Sequence, residues 1–161
     1  MPATTVMGIS SIGGKFGWAV EATAGTKPTA FTQIERCNSI SGIDVSIEQI
    51  DASALEDGKT KYISGRSDPA SDWSVTFNLT NDVQTQLEAM IAAYEGLTGG
   101  KKMWFTVWLP DLAKACFVVG APPAILPLPE VGQNELMTID VPITVEDYKG
   151  FDTKIEPTVA D

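Results

Sequence analysis

The sequence predicts a mainly β fold: an antiparallel β-sandwich or barrel with one flanking α-helix at about 82–94 and a long inter-strand loop at about 51–70. Three observations carry this reading: apolar and polar residues alternate in several separate stretches, a single stretch has helical spacing, and polar or proline-rich turns lie between them. The 161 residues fit one domain, since a core of this size buries roughly two-thirds of the surface that the unfolded chain exposes. Within it, residues 1–29 read as an N-terminal arm, 30–149 as the sandwich body and 150–161 as a C-terminal tail.

The first 29 residues are rich in Gly, Ala and Thr, show no sustained period and end in Gly25-Thr26-Lys27-Pro28, the pattern of an arm or irregular edge. Phe16 and Trp18 are too apolar to be left in water and are expected to dock on the body or on a neighbouring subunit. From Phe31 the pattern becomes strand-like. Ile43, Val45 and Ile47 alternate with Asp44, Ser46 and Glu48, as in a strand with one dry face. The same alternation places Trp73, Val75, Phe77 and Leu79 on one face of a second strand, and Met137, Ile139, Val141, Ile143 and Val145 on one face of a third. Pro142 cannot donate to a ladder, so it marks an edge or a bulge.

Between the first two of these strands, Asp51 to Pro69 shows no period, and long aperiodic loops inside compact domains are uncommon unless functional. Leu55, Tyr62 and Ile63 give it apolar anchors that a solvated linker does not need. The helix is predicted from Val83, Leu87, Met90, Ile91 and Tyr94, which form one stripe; Asn81 with Gln84 makes a candidate capping box, and Gly96 supplies a stop. Met103 to Leu109 is apolar on both faces, with Trp104 and Trp108 on one of them, so this strand needs covering twice and the helix is the expected cover. Ala115 to Val119 is a further strand, and Pro122-Pro123 and Pro127-Leu128-Pro129 then break any long ladder.

Composition excludes several functions. There is no His, which removes imidazole-dependent triads and most zinc sites. Gly13-Gly14-Lys15 resembles a phosphate loop, but the motif's leading Gly falls on Ile9 and its Ser or Thr on Phe16. Asp51, Glu56 and Asp57 are the closest carboxylate cluster, and their spacing fits no calcium loop. No cofactor and no catalytic residues are expected. The formal net charge of −10 disfavours stable binding to DNA or to anionic membranes. Cys37 and Cys116 lie in apolar or strand-like stretches and read as reduced, small buried hydrophobes. Ala22-Thr23-Ala24 lacks the flanks of a secretory cleavage site, and no stretch approaches membrane-spanning length.

From Ile34 to Tyr148 the order of elements resembles the tail tube proteins of long, non-contractile-tailed bacteriophages. The likeness is carried by Ile40-Ser41-Gly42-Ile43 leading to Ile50-Asp51-Ala52-Ser53, then Asp57-Gly58 and Lys61-Tyr62-Ile63-Ser64-Gly65-Arg66-Ser67-Asp68, then Trp73-Ser74-Val75-Thr76-Phe77. The helix with Gln84 and Leu87 and the strand Trp104 to Leu109 continue it. The resemblance implies a structural subunit, assembled in the host bacterial cytoplasm, whose six-membered rings stack around a tape measure protein into a virion tail tube. Tail terminator and distal tail proteins are the further partners it implies, and genome DNA passes through the lumen without specific binding. Leu55, Tyr62, Ile63 and Arg66, with Phe16 and Trp18, are then the expected contacts between subunits or rings, and Asp44, Glu48, Asp140 and Glu146 the candidate acidic lining of the lumen. Two other readings compete: the inner tube of a contractile tail or secretion system, and a monomeric carbohydrate-binding module that stacks sugars on exposed Trp104 or Trp108.

Overall fold

A computed structural model describes residues 8–69 and 72–160. Its elements are β1 (Lys15–Val20), β2 (Thr32–Ile34), β3 (Cys37–Ile40), β4 (Val45–Asp51), β5 (Tyr62–Pro69), β6 (Asp72–Asn78), α1 (Asn81–Glu95), β7 (Met103–Trp108), β8 (Lys114–Ala121) and β9 (Thr138–Thr153). Seven strands form one antiparallel sheet in the order β2-β1-β7-β8-β9-β6-β3, and β4 pairs with β5 in a separate two-stranded sheet. The mainly β class with one helix is therefore as the sequence predicts, and the large sheet does not close into a barrel.

That sheet cannot be flat. β2 and β3 lie at its opposite ends, yet only Glu35 and Arg36 separate them in the chain. Ile34 and Cys37 are therefore at most about 11 Å apart along the chain, whereas the edges of a flat sheet of seven strands would lie about 29 Å apart. The sheet must roll until its ends approach without pairing, and Arg36 makes the corner with a left-handed backbone (φ 59). Ring contacts confirm the roll: Phe16 on β1 lies 5.6 Å from Phe77 and 5.8 Å from Trp73, both on β6, four positions away in the sheet order. The same ring stacks on Phe105 of β7 at 5.8 Å.

Helix α1 packs against β1 and β2 and presents Val83, Leu87, Met90 and Ile91 to the core inside the roll, with Tyr94 half-buried beside them. Its N-cap is Thr80 and not Asn81: the Thr80 hydroxyl accepts from the Val83 N–H at 3.1 Å. Shifting the cap by one residue puts Val83 where a capping box needs Glu or Gln, so Gln84 makes no reciprocal bond and its N–H instead donates to Thr80 O at 2.9 Å. Gly96 ends the helix, as expected.

β7 is covered twice, though not by the helix on both sides. Met103 and Phe105 face the core shared with α1, while Trp104 packs on the outer face with Phe31, Ala115, Phe117 and Val119, and half-buried Trp108 and Ile155 join it. Lysines complete that cover: Lys149 lies over the Trp104 ring at 5.7 Å, and Lys15 and Lys154 over Trp108 at 5.2 and 5.4 Å. The C-terminal segment runs over the same side, pairing with the free edge of β2 through Gln33 N–H to Thr158 O (2.7 Å) and Thr158 N–H to Phe31 O (3.1 Å). Gly17 permits this crossing, since a Cβ there would lie 2.7 Å from Pro157.

The expected N-terminal arm is replaced, over Lys15–Val20, by a strand inside the sheet, between β2 and β7. Phe16 is fully buried, so it cannot meet a neighbouring subunit, and Trp18 is half-buried against the body's own core. Residues 1–7 of that arm lie outside the described residues. Pro142 occupies a local edge within an interior strand: it faces Ser74 of β6, while the pairing of β9 with β8 ends at Ala121–Thr144. Cys37 and Cys116 are half-buried and unpaired, and burial pushes the Cys37 thiol up to about 11.

Because Phe16 touches strands from both ends of the roll, Phe16→Ala is expected to cost about 3–5 kcal/mol. Thr80→Ala should cost about 1 kcal/mol. Urea denaturation of the two variants measures both losses, and an F16A midpoint close to wild type would remove Phe16 from its bridging role.

Candidate assembly surface

The hairpin formed by β4 and β5 stands off the rolled body. Its stem is fixed, because Ser41 N–H and hydroxyl both donate to Ser74 O (3.0 and 2.9 Å) and Trp73 Nε1–H donates to Ser41 O at 2.7 Å. Ile43 is the last residue of the stem to pack on the core. Beyond it every residue of β4 is exposed, so the dry face expected for this strand is not supplied by the described residues. Val45, Ile47, Ile50, Leu55, Tyr62 and Ile63 are all exposed, Leu55 entirely and Ile47 and Tyr62 at 59% each.

The segment read as an aperiodic loop over 51–70 is thus half of this hairpin, with Tyr62–Pro69 a strand paired to β4; Ala70 lies outside the described residues. Pairing sets Asp51 opposite Tyr62, Ile50 opposite Ile63 and Val45 opposite Pro69. Between Ile47–Ser67 and Gln49–Ser64 the register shifts by one residue, a bulge that breaks any alternation in β5. Gly65 sits in that bulge, where a Cβ would lie 2.9 Å from Glu48 O.

The connection 52–61 is built and not slack. Ser53 N–H donates to Asp51 Oδ1 (2.9 Å), Ala54 N–H to Asp57 Oδ2 (2.8 Å), and Lys61 N–H to Ser53 Oγ (2.7 Å). Lys61 Nζ also pairs with Asp57 at 3.1 Å. Backbone donors thereby hold the Asp51 and Asp57 carboxyls below their ordinary value, with the Ser53 hydroxyl and Lys61 assisting in turn. Arg66 is exposed on β5 and has no ion pair among the described residues.

The four candidate lumen carboxylates are all exposed. Asp44 lies in the hairpin stem and Glu48 on β4, while Asp140 and Glu146 alternate with buried residues on the outward side of β9. Asp140 accepts from the Thr76 hydroxyl at 2.5 Å, and Glu146 pairs with Lys102 at 3.2 Å. No group of three or more possible metal ligands occurs among the described residues, and no helix there is long and apolar enough to cross a membrane.

A second exposed apolar surface escaped the sequence reading. The connection between β8 and β9 is anchored by Leu126 against the core but turns Ile125, Leu128, Val131 and Leu136 outward, each at least 69% exposed. The signal was present as four aliphatic residues in a proline-rich stretch, a composition read only as a breaker of strands.

The chain matches no protein-family model and no curated protein sequence. Its fold does match solved structures. A chain of the anti-feeding prophage cap, which terminates the tube, superposes with a TM-score of 0.62 at 12% identity, covering 96% of this chain and 97% of that one. A chain of the six-fold symmetrised anti-feeding prophage baseplate gives 0.55 at 10% identity (92% and 96% covered). A chain of the tail of an empty GTA particle, refined with C6 symmetry, gives 0.51 at 14% identity (78% and 87% covered). The fold is accordingly one found in structural components of phage-tail-like assemblies.

The depressed carboxyls of the hairpin have a defined pH dependence. A carboxylate whose folded pKa lies below its unfolded value stabilises the fold above the unfolded pKa, and loses that contribution as pH falls through the folded one. The amide signals of Ser53 and Ala54 are therefore expected to titrate with Asp51 and Asp57 respectively, each with a midpoint below 3.8, the ordinary Asp value. Midpoints at or above that value would show that the two caps do not form.

Proposed function

We propose that this chain is a structural subunit that self-assembles into six-membered rings stacked as the tail tube of a phage or phage-like particle. One observation carries the reading: a hairpin with apolar residues along its length extends from the body uncovered. An isolated two-stranded hairpin is marginally stable in water, and contiguous exposed apolar surface marks an interaction site. A heterologous contact that closes by rotation makes a ring and covers strand edges that otherwise invite aggregation. The fold shared with chains from assemblies of six-fold symmetry supports the same stoichiometry.

In this reading Leu55, Tyr62, Ile63 and Arg66 meet a neighbouring subunit or ring, and Trp18 contributes at most its partly exposed edge. Asp44, Glu48, Asp140 and Glu146 line the lumen, where like charge repels DNA within a Debye length of about 8 Å at physiological salt, so that it passes without sticking. The partners are other copies of the chain, a tape measure protein inside the tube, and terminator and distal tail proteins at its ends; the site of action is the virion tail, after assembly in the host cytoplasm. No catalytic role is assigned.

A second reading is that the chain forms a ring at the end of a tube, and the match to a tube-terminating cap at TM-score 0.62 favours it. Rings that never stack would distinguish it. A carbohydrate-stacking role finds little support, since Trp104 is only 6% exposed and Trp108 is flanked by Lys15 and Lys154.

Hydrogen exchange across 45–69 is expected to be fast in the free subunit and strongly slowed in the assembled particle; equal protection in both contradicts the hairpin's role. Replacing Glu48 and Asp140 together by Lys should slow DNA delivery and make it depend on salt, and unchanged delivery would remove these two residues from the lumen.

A further inference from the structure

Helix α1 and the β8–β9 connection carry charge of one sign. Residues 81–95 and 122–137 contain Asp82, Glu88, Glu95, Glu130 and Glu135 and not one Lys or Arg. None of these five carboxylates has an ion pair among the described residues. Between the two segments runs an open groove of about 470 Å³, with Glu88, Ile91, Ala92 and Glu95 on one wall and Ile125 and Leu126 on the other. An occupant must bring apolar side chains and positive charge together.

The β5 side of the hairpin has that chemistry. Tyr62, Ile63 and Arg66 on β5 and Lys59 in the adjoining connection are exposed, and Lys59 and Arg66 have no ion pair among the described residues. Among the hairpin's acids, Asp51 and Asp57 are turned onto its connection, accepting backbone N–H groups, and Asp57 also neutralises Lys61. Glu48 belongs to the other strand and Glu56 to the connection; Asp68 is the one acid on β5 and lies beyond Arg66 toward the stem. Leu55, entirely exposed near the tip, adds an apolar side chain.

We propose that the β5 side of the hairpin of one copy docks into the groove between α1 and the 122–137 connection of a second copy, Lys59 and Arg66 meeting Glu88 and Glu95. This inference rests on the self-assembly reading and adds the receiving surface to it. The contact is heterologous, pairing two different patches, so each subunit both gives and receives a hairpin.

A charge-swap cycle on the full chain tests it, read as the concentration at which assemblies appear in sedimentation. Lys59→Glu with Arg66→Glu is expected to raise that concentration by about tenfold or more, because like charges then face each other across the contact. Glu88→Lys with Glu95→Lys should do the same, and all four changes together should restore assembly toward wild type. All six positions bordering the swap, Lys59, Arg66, Glu88, Glu95, Tyr62 and Ala92, are exposed, so folding, monitored by circular dichroism, is expected to be unaffected. If wild type assembles and neither swap changes its threshold, or if the fourfold variant is no better than the worse pair, the docking is overturned while self-assembly stands. If wild type never assembles, the reading beneath it fails as well.

Discussion

Two residues joining opposite ends of a seven-stranded sheet set the shape of this protein. Glu35 and Arg36 leave no length of chain to cross a flat sheet, so the sheet rolls, and the roll creates an interior that β1, β6, β7, β9 and α1 all face. Phe16 sits where the two ends approach, touching aromatic rings on β6 and β7 at once. The corner is secured by neighbours on both sides: Glu35 N–H donates to Gln86 Oε1 at 2.9 Å, and Asn78 N–H donates to Arg36 O at 2.9 Å. Helix and sheet are thereby tied to the same two residues.

The roll also decides what the chain leaves uncovered. Its own apolar residues fill the interior and, with the C-terminal segment and four lysines, the outer face of β7 and β8. Among the described residues none covers the aliphatic side chains of the hairpin or of the β8–β9 connection, which are exposed. Exposure of single apolar residues is ordinary, but two separate groups on otherwise well-packed scaffolding are not.

Legibility in the sequence followed burial. β6, β7, the first half of β9 and α1 could be read because each has a buried face whose spacing survives in the residues, as in Trp73-Val75-Phe77 and Val83-Leu87-Met90-Ile91. β1 was hidden because both its faces are buried and Gly17 and Ala19 fill the second, so no polar residue marks the alternation. β5 was hidden for the opposite reason: its described side chains are almost all exposed, and a bulge at Gly65 and Arg66 resets its period. The hairpin anchors Leu55, Tyr62 and Ile63 could be named from composition, since apolar residues in an apparent loop need a reason. Phe16 was misassigned to an interface because a strand taken for an arm makes its aromatic look spare.

Everything functional depends on the claim that a solitary copy leaves apolar surface which only other copies cover. Sedimentation of the purified full-length chain over a wide concentration range, with electron microscopy of each species, tests it most directly. Monomers are expected to give way to rings or tubes as concentration rises. A single monomeric species at every concentration would contradict it.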